Sequence, residues 1–500
     1  MTGVVVIGAG VGGLACAALL ASQGHHVTMY EQADRVGGKL GSFRSERSTG
    51  ALDFDTGPSL LTLPHILSDV FTATGGWPKS LQLQELSTIA RIRFADGTGF
   101  DVRPDLDAFC AELDAWSPGA GAQWRRFSVR AQRIWDATRG PFLERELHGT
   151  RSLLAMAAKN PLSLRTIAPG TTLAELAAKY LTDPRLRQFV GRYATYTGSD
   201  PRRAPAALAA IPYAEHHFGG WYVRGGLHTI ADALADRCRE LGVSIQCGSR
   251  VEKIRLTEGN VCGVRLADST EPVAQIVVAN ADAAAVYENL VPAPVAATER
   301  KRLTKAPRSY SGVVLLLGVT GPRAADQAHH TVLFAADPNA EFDQLRDGVV
   351  PQDPTVYVCV PDDETVASTI DGLAAHPWFV MVNAPRQDQV DWTDSGDGDR
   401  NAYATRILDV MATRGMDIRN RVVFQAVRTP ADIEAETLSP GGSIYGSSSD
   451  GARSAFLRPQ NRSAVPGLYL VGGSAHPGGG IPLVLLSAKI VAGLIGPAGV

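Results

Sequence analysis

The sequence predicts an α/β protein whose parallel sheet is assembled from both ends of the chain, with a second, mixed domain inserted between them. Three observations predict this fold. The chain starts with a buried strand, a glycine-rich turn and a helix rich in alanine and leucine. It ends with a short apolar strand, another glycine-rich turn and an apolar helix. The long middle alternates helical and strand-like segments without an internal repeat.

The N-terminal unit follows from hydrophobic patterning. Residues 4–7 are consecutive β-branched residues that predict a buried strand, and residues 8–13 follow as a tight turn. Residues 14–22 predict a helix that ends before Gly24, and residues 26–30 predict a second strand. The handedness of crossover connections makes these two strands parallel.

The remaining elements of the sheet domain lie far downstream. Residues 229–241 predict a helix, and residues 468–471 followed by residues 483–494 predict a last strand and helix. Four short strands are predicted between them, at residues 244–246, 251–256, 261–266 and 275–279.

The domain division follows from a change in pattern. One internal segment is mainly helical, and another mixes strand runs, such as residues 313–317 and 355–360, with polar loops. We interpret the two segments as a substrate domain made of a helical cap and a sheet. The predicted division is residues 1–104, 219–294 and 430–500 for the first domain, 105–218 for the helical segment and 295–429 for the sheet-containing segment.

The first chemical motif is a Gly-x-Gly-x-x-Gly turn at residues 8–13, with Glu31 at the end of the second predicted strand. The first glycine permits the tight turn, the second lets the backbone approach a pyrophosphate, and the third lets the helix pack closely on the strand. The helix N-terminus then directs its N–H groups at the phosphates, and Glu31 accepts hydrogen bonds from a ribose. The pattern predicts a dinucleotide site. The alternative is a structural turn, or a relative that has kept the fold and lost the cofactor.

A second glycine pair indicates which dinucleotide is bound. Gly37 and Gly38 are flanked by Arg35 and Lys39, whose charges could neutralise phosphates. Nicotinamide-dependent dehydrogenases do not usually continue in this way after the acidic residue, so the motif favours FAD. An ordinary glycine loop is the alternative.

The glycine-rich run near the C-terminus has a similar physical logic. A strand that ends in glycines and re-enters a helix at Ile481 and Pro482 presents free N–H groups to ribityl or pyrophosphate oxygens. Proline is tolerated at the start of a helix, because the N–H it lacks has no helical partner there. The alternative is a buried turn that leads into a terminal core helix.

A family resemblance extends these motifs over the chain. Residues 4–39 resemble the FAD-binding start of the flavoprotein superfamily that includes amine oxidases and carotenoid desaturases. Residues 53–59 are similar to the Asp-x-Gly-Pro loop beneath the flavin in enzymes of the bacterial phytoene-desaturase type. Residues 467–482 resemble the cofactor-closing signature of that branch nearly residue for residue. Further similar stretches are residues 193–205, 220–227, 278–282, 328–334 and 353–357.

The resemblance implies a Rossmann-like FAD-binding domain with an inserted substrate domain, in an FAD-dependent desaturase of a long isoprenoid or carotenoid-like polyene. Many flavoproteins of the superfamily place an acidic residue where this chain has Gly473 and Ser474, and the glycine and serine resemble the desaturase branch. The expected cofactor-binding residues are Gly8, Gly10, Gly12, Gly13, Glu31, Gln32, Arg35, Gly37, Gly38, Lys39, Gly57, Pro58, Ser59, Val251, Asn280, Gly473, Ser474, Gly480, Ile481 and Pro482.

The expected chemistry is hydride transfer from an allylic carbon to flavin N5, with loss of a proton from the neighbouring carbon. The cofactor performs the difficult step, and the protein supplies orientation and a dry site. This explains why the sequence shows no convincing nucleophile, triad or metal cluster. His476, inside the cofactor-closing run, and His330 are the expected catalytic residues. Other polar residues in or beside family-like stretches, each with a structural role as its alternative, are Glu215, His216, His217, His329 and Tyr310.

Composition restricts the partners. A net charge of −3 gives no electrostatic case for nucleic acid. The six cysteines show neither metal-site spacing nor a disulfide framework. We see no signal peptide and no apolar run long enough to span a bilayer, so we expect a cytoplasmic protein.

Thr172 and Glu175 predict a capping box on a helix that belongs to the core.

An apolar polyene dissolves in bilayers, so we expect peripheral association with the membrane surface. Residues 124–167 contain nine Arg or Lys residues among aromatic and aliphatic side chains, a pattern that an interfacial helix uses against anionic lipid. A helical cap with a solvated basic face is the alternative. Only one dinucleotide fingerprint is present, so oxygen or a membrane quinone is the expected electron acceptor.

Other functions remain open on the sequence. Within enzymes they are a redox-neutral carotenoid isomerase, a terminal carotenoid oxidase and an oxidase of another apolar metabolite. From a different class, a related fold occurs in prenyl-binding chaperones of the GDP-dissociation-inhibitor type, which do not use flavin. The complete glycine motif, Glu31 and the intact C-terminal run argue against the chaperone.

Overall fold

The computed structural model describes residues 3–47, 50–147, 166–393, 398–451 and 458–499. In chain order the strands are β1 (Gly3–Ile7), β2 (His26–Tyr30), β3 (Ser42–Arg47), β4 (Gly50–Asp55), β5 (Leu83–Glu85), β6 (Ala90–Arg93), β7 (Gly99–Val102), β8 (Trp221–Val223), β9 (Ser244–Gln246), β10 (Val251–Thr257), β11 (Asn260–Leu266), β12 (Ile276–Ala279), β13 (Ser311–Thr320), β14 (His330–Leu333), β15 (Val356–Cys359), β16 (Ser368–Ile370), β17 (Leu373–Ala384), β18 (Val422–Arg428) and β19 (Leu468–Leu470). The helices are α1 (Val11–Ser22), α2 (Pro64–Ala73), α3 (Leu106–Trp116), α4 (Ala120–Thr138), α5 (Leu173–Tyr180), α6 (Pro184–Arg192), α7 (Ala210–Phe218), α8 (Thr229–Glu240), α9 (Ala283–Ala285), α10 (Ala293–Lys305), α11 (Pro338–Arg346), α12 (Arg400–Thr413), α13 (Pro430–Thr437) and α14 (Ile481–Ile495). Single turns of 3₁₀ or π helix cover Arg139–Leu143, Tyr193–Thr197, Ala206–Ala209, Val286–Leu290, Arg419–Arg421 and Pro440–Gly442.

Five parallel strands, in the order β19-β12-β1-β2-β9, form the sheet that the two ends of the chain share. Alternate residues of β1 point to opposite faces, and both faces are covered. Val4 and Val6 pack into the core that contains α1, α8 and α14, whereas Val5 and Ile7 pack into the core beneath β10 and β11. The predicted N-terminal unit is confirmed, and the last strand of the chain lies two strands away from the first.

A larger mixed sheet of eight strands lies in the rest of the chain. Its order is β18-β13-β17-β15-β14-β6-β7, and β16 pairs with β17 outside this path. All ten residues of β13 are buried, because β17 and β18 flank the strand and both of its faces are covered. Trp392 and α12 pack on one face, and Leu52 and Phe54 of β4 pack on the other.

The placement of β6 and β7 differs from the predicted division. Both strands lie within residues 1–104, which the sequence assigned to the nucleotide-binding domain, yet β6 pairs in parallel with β14 of the mixed sheet. Backbone hydrogen bonds to a strand more than two hundred residues away decide this placement, and local patterning does not report such pairing. The other domain boundaries stay a prediction.

Helices α3 to α7 form a cap in which α4 is central. The aromatic residues Trp124, Phe127 and Trp135 of α4 are buried, and Trp124 packs edge-on against Phe109 of α3. The interpretation of these aromatic residues as interfacial anchors is therefore wrong, because α4 turns its aromatic face inward and its arginines outward. Leu153, Leu154 and Met156, which belonged to the same predicted anchor, lie outside the described residues.

Two further predictions concern the cap and its surface. The capping box is confirmed: Glu175 N–H donates to Thr172 Oγ1 at 3.2 Å, and Thr172 N–H donates to Glu175 Oε2 at 2.8 Å. Within the part of the chain that the structure describes, no helix is both long enough and apolar enough to cross a membrane.

Candidate active site

The N-terminal glycine turn has the geometry that its motif predicts. Gly8 has a φ of +92°, in the region that favours glycine. A Cβ on Gly13 would lie 2.2 Å from the carbonyl oxygen of Gly8, so only glycine lets α1 start this close to β1. A Cβ on Gly10 would lie 2.8 Å from the side-chain nitrogen Nδ2 of Asn280. The Asn280 side chain therefore lies directly over the turn. The turn presents the N-terminus of α1 at the carboxyl end of the sheet.

Glu31 lies beside this turn at the end of β2. Its two carboxylate oxygens accept hydrogen bonds from Ala9 N–H at 2.6 Å and from Ala33 N–H at 2.9 Å. Its own carbonyl oxygen accepts a hydrogen bond from Ser249 N–H at 2.7 Å, which brings the start of β10 and its buried Val251 close to Glu31. The acid, the glycine turn and the Val251 strand therefore lie together.

The second glycine pair packs on the first turn. Gly37 N–H donates to the carbonyl oxygen of Ala9 at 2.9 Å, and a Cβ on Gly38 would lie 3.3 Å from the Cα of Gly10. Arg35 is exposed, and the Gln32 side chain donates to the carbonyl oxygen of Glu436 at 3.0 Å.

The C-terminal run reaches the same place. A Cβ on Gly12 would lie 3.2 Å from the Cα of Gly472 and 3.0 Å from a methyl group of Val484. Gly473 and Ser474 follow directly, and Ser474 Oγ accepts a hydrogen bond from Ala283 N–H at 2.9 Å. Gly480 is exposed before α14, whose first residues, Ile481 and Pro482, are buried. The glycine-rich turns from the two ends of the chain are in contact.

Two cations lie beside these turns, the half-buried Lys39 and the buried Arg458. Lys39 Nζ donates to the carbonyl oxygens of Ser443 and Ile444 at 3.1 and 2.8 Å. Arg458 Nη1 donates to the carbonyl oxygens of Tyr445 and Gly473 at 2.8 and 3.0 Å. Burial lowers the pKa of Lys39 to about 8 and the pKa of Arg458 to about 10.

Asp282 completes this polar group. Its Oδ2 is buried and, within the described residues, has no hydrogen-bond partner. Its negative charge opposes the lowering of the pKa of both Lys39 and Arg458. A buried acceptor without a donor and cations that face only carbonyl oxygens suit a cofactor with both anionic and hydrogen-bonding groups. The residues present therefore fit FAD.

The loop at residues 53–59 joins this cradle to the rest of the molecule. A Cβ on Gly57 would lie 1.8 Å from the carbonyl oxygen of Lys39, so the loop passes directly over the second glycine pair. The carboxylate of Asp55 accepts hydrogen bonds from the N–H groups of Leu227 and His228 at 2.8 and 3.0 Å. Its contact with the imidazole raises the pKa of His228 above the ordinary value, against the opposing effect of burial. The loop is held in place on both sides of Pro58.

A small cavity of about 20 Å³ lies beyond this loop. Half of the residues that line it are apolar, such as Leu60, Ile92 and Phe189, and they come from the end of the loop, the mixed sheet and the helical cap. Ser59 Oγ, at the end of the loop, hydrogen-bonds Tyr357 of the cavity wall, with an oxygen–oxygen distance of 2.7 Å. The polar groups that line the cavity are Arg192, Tyr193, Tyr196, Glu215, His330 and Tyr357.

The two histidines predicted to be catalytic both contact backbone. His476 Nε2 lies 2.9 Å from the carbonyl oxygen of Arg145, so His476 links the cofactor-closing run to the helical segment. His330 lies in the cavity wall, with its two ring nitrogens 3.0 Å from the carbonyl oxygen of Ile89 and 3.1 Å from that of Ser59. Burial lowers the pKa of both histidines to about 4. Both are therefore neutral near pH 7, and their catalytic assignment stays a prediction.

The other polar residues singled out from the sequence are dispersed. Glu215 lines the cavity, whereas its neighbour His216 is buried against Phe109 with a ring separation of 4.7 Å. His217 is exposed and stacks on Tyr213, and Tyr310 is buried beside Phe342.

His329, His330 and Cys359 form a cluster that the sequence did not indicate. One nitrogen or sulfur atom from each lies within 4.8 Å of the others, because β14 and β15 pair with His330 opposite Cys359. A metal ion bound through His330 would displace a contact of that ring with a backbone carbonyl oxygen. The six cysteines are all free.

Several site residues were missed by sequence reasoning. Tyr193 and Tyr357 lie inside stretches that resemble the family, but only their position in the cavity shows what they contact. Asp282 was part of the quoted stretch 278–282 without a role, and Arg458 carried no signal of its own. Charged residues that become buried in the fold could only be found from the structure.

Comparison with known proteins agrees with this geometry. A model of the family described as flavin containing amine oxidoreductase matches residues 11–343. The 4,4'-diapolycopene oxygenase of Methylomonas sp is 34% identical over 494 residues, which cover 98% of this chain and 97% of that protein. The hydroxyneurosporene desaturase of Rhodobacter capsulatus is 33% identical, covering 97% and 96% of the two chains. The 1-hydroxycarotenoid 3,4-desaturase of Flavobacterium sp. is 31% identical, covering 98% of each.

Solved structures confirm the predicted fold class. A putrescine oxidase with putrescine bound superimposes with a TM-score of 0.64 at 13% identity, covering 99% of this chain and 98% of that one. An oxidoreductase from Methanosarcina mazei gives a TM-score of 0.60 at 16% identity, covering 98% and 99%. The family match confirms FAD as the cofactor and does not favour the chaperone without flavin. This chain belongs to the flavin containing amine oxidoreductase family and is an FAD-dependent oxidoreductase.

Proposed function

We propose that this enzyme desaturates a long, carotenoid-like polyene. The observation that carries the proposal is the position of this cavity, whose wall begins at Leu60, shortly after the Gly57–Pro58 turn over the cofactor cradle. Relatives similar over nearly their whole length are named as desaturases of hydroxyneurosporene and of 1-hydroxycarotenoids, which supports a carotenoid substrate.

Bound FAD supplies the acceptor for a hydride from an allylic C–H bond. The chain's own residues hold and orient the reactants. The glycine turns would cradle the pyrophosphate, Glu31 and Val251 would face the adenosine, and Lys39 and Arg458 would supply positive charge beside the anionic groups. The apolar wall of the cavity excludes water from the polyene.

The individual cofactor contacts belong to this proposal. The N–H groups near Gly473, Ser474 and Gly480, together with the start of α14, would face the ribityl and pyrophosphate oxygens. Asn280 lies over the glycine turn, where it would contact the same oxygens. Gln32 and Arg35 lie at the outer edge of the cradle, where a contact with the adenosine requires their side chains to turn inward.

We also propose peripheral membrane association on the cytoplasmic side, with oxygen or a quinone as electron acceptor. Arg125, Arg126 and Arg133 are exposed on the outer face of α4, together with Val129, while its aromatic face packs inside. An outward row of arginines supports attraction to anionic lipid. The polyene would then enter from the membrane without the protein spanning it.

Oxygenation is the second candidate, because a 4,4'-diapolycopene oxygenase is among the most similar relatives. We would incubate the FAD-loaded protein with carotenoids that carry or lack a terminal hydroxyl and analyse the products by mass spectrometry. A product that has lost hydrogen supports desaturation. A product that has gained oxygen shows that the reaction is oxygenation instead. An unchanged mass with a changed absorption spectrum indicates isomerisation, and no conversion of any polyene refutes the proposed substrate class.

A further inference from the structure

A buried carboxyl group lines the proposed substrate cavity. Glu215 lies on α7 with 4% of its surface exposed. Its Oε1 accepts a hydrogen bond from Tyr193 OH at 2.6 Å, and its Oε2 accepts one from Tyr196 OH at 3.0 Å. Both tyrosines line the same cavity. Each carboxylate oxygen retains a second lone pair for another partner.

This arrangement is costly unless it has a chemical use. A carboxyl group that is ionised while buried without a cation is strongly destabilising. Neither carboxylate oxygen of Glu215 has an ion pair within the described residues, and its two hydrogen-bond donors are the neutral phenols of Tyr193 and Tyr196. A hydrocarbon substrate gains nothing from such a group for binding alone.

The environment keeps the carboxyl group available for proton exchange. Burial raises the pKa of Glu215, and the hydrogen bonds from the two tyrosines and the nearby charge of Arg192 oppose that rise. The guanidinium group of Arg192 lies 5.3 Å above the ring of Tyr357 in the same cavity. A buried carboxyl group that keeps a lone pair free on each oxygen is placed to accept a proton from a bound substrate.

The other titratable groups of the cavity are less suited to this role. Both nitrogens of His330 face backbone carbonyl oxygens. Burial raises the pKa of Tyr193, Tyr196 and Tyr357 well above the ordinary value, so these phenols stay neutral. Arg192 carries no basic lone pair. Glu215 is the remaining candidate among the residues that line the cavity.

We propose that Glu215 is the catalytic base that removes the proton from the substrate, with Tyr193 and Tyr196 as positioning residues. The proposal rests on the proposed desaturation. One C–H bond of the polyene loses hydride to oxidised FAD, and the neighbouring C–H bond loses its proton to a Glu215 carboxylate oxygen. The electron pair of that second bond becomes the new carbon–carbon π bond. The reduced cofactor passes its electrons to oxygen or a quinone, and Glu215 releases its proton before the next turnover.

The carboxylate contributes in a second way. Positive charge develops on the polyene as hydride leaves, and a fixed negative charge in a dry cavity stabilises it more strongly than water would. Tyr193 and Tyr196 hold the carboxylate in one orientation, so little reorganisation is needed when that charge develops. The Glu215 carboxylate therefore acts both as the base and as the negative charge that stabilises the polyene cation.

The test compares two buried carboxyl groups in the FAD-loaded enzyme. Glu341 is also 4% exposed and accepts hydrogen bonds from Thr355 N–H and Oγ1 at 2.8 and 2.6 Å, but it does not line the cavity. Each enzyme is mixed with polyene in the absence of oxygen, and the change in flavin absorbance is followed. This measures flavin reduction alone. We expect Glu215→Gln to slow reduction about 100-fold or more, as for loss of a general base. Glu341→Gln should leave the rate of flavin reduction within about twofold, because Glu341 does not line the cavity and cannot take up the substrate proton.

Two readouts separate catalysis from structure. Polyene binding, measured by the shift of its absorption spectrum on the protein, should be unchanged in Glu215→Gln. In the wild type, reduction should slow as the pH falls through the pKa of Glu215, because the protonated carboxyl group cannot act as a base; this dependence should vanish in Glu215→Gln. Where Glu215→Gln fails to fold or to hold FAD, Glu215→Asp replaces it and should react slowly while keeping the pH dependence.

The possible failures are distinguishable. A wild type whose flavin no polyene reduces refutes the proposed function. A wild type that is reduced normally, beside a Glu215→Gln or Glu215→Asp variant reduced at the same rate, refutes the base. A variant that loses only its affinity for polyenes with a terminal hydroxyl assigns Glu215 to substrate recognition and also overturns the proposal.

Discussion

The cofactor cradle and the substrate cavity adjoin each other but are built in different ways. The cradle is made of glycine-rich turns within residues 8–13, 37–38 and 472–480, where a side chain on Gly8, Gly13 or Gly37 would collide with neighbouring main chain. The cavity is made of side chains such as Tyr193, Glu215 and Tyr357, which come from distant parts of the chain. Backbone sites leave a local sequence pattern because only glycine satisfies them. A cavity of side chains leaves none, because many residue types fit each wall.

The largest expected effect concerns a cradle glycine. Gly57→Ala would place a methyl group 1.8 Å from the carbonyl oxygen of Lys39, so we expect the FAD content of the purified protein to fall about tenfold or more, with loss of stability. Gly493→Ala is the matched control. It lies in α14 with nothing near its Cβ position and should stabilise the protein by about 1 kcal/mol. Flavin absorbance per protein and thermal melting measure both. A Gly57→Ala protein with full FAD content would contradict the backbone account of the cradle.

A substitution in the cavity should slow flavin reduction and leave the FAD content unchanged. Tyr193→Phe removes a hydrogen bond to Glu215, and we expect flavin reduction by polyene to slow about tenfold while FAD content is unchanged. Tyr403→Phe is the control, because this buried hydroxyl has no hydrogen-bond partner within the described residues. Its removal should change neither quantity. If Tyr193→Phe instead releases FAD, the cradle and the cavity are not separable.

The pH dependence of FAD affinity tests the charge at the border of the two regions. Burial lowers the pKa of Lys39 to about 8, so its ammonium group loses its proton as the pH rises through that value. Because the charged form attracts the anionic cofactor, we expect affinity to fall about tenfold between pH 7 and roughly pH 9. Titration of the deflavinated protein with FAD measures this. In Lys39→Met the affinity should be lower and show no such dependence; an equal dependence in the variant would assign it to another group.

The smallest effect belongs to the outer surface that covers the cavity. Arg126 is exposed on α4, and a basic residue near an anionic membrane contributes about 1 kcal/mol, so Arg126→Gln should weaken binding to anionic vesicles about fivefold. Arg250, exposed before β10 in the other domain, is the control, and Arg250→Gln should have no effect. Vesicle sedimentation at low salt measures both. Equal loss in the two variants would show that net charge alone governs binding, and the role of α4 would be discarded.

Particular residues show how far the sequence could be interpreted. The unbroken apolar run of Val4, Val5, Val6 and Ile7 predicted a buried strand, and the two cores on either side of β1 confirm it. The aromatic residues of α4 predicted a membrane anchor, but Trp124 and Phe127 lie in the core. An amphipathic pattern shows that one helix face is apolar; it does not show whether protein or lipid covers that face.

The candidate site divides in the same way. Glu31 and the glycine turns were predicted from the sequence, because their roles depend on spacings of a few residues around one strand–turn–helix unit. The pairing of His330 with Cys359, the position of β6 beside β14 and the contact of Glu215 with two tyrosines were not predicted. Each depends on a contact between segments whose relative position local patterning does not encode.

The sequence by itself determined the cofactor class, the parallel sheet shared by the two chain ends and the family, because glycine at a strained or crowded backbone position has no substitute. The tertiary structure alone decided which ionisable groups become buried together, and so which of them can hold charge or exchange a proton in the cavity. Burial changes the energy of a charge by amounts that depend on every neighbouring segment, and those neighbours are brought together only by the fold.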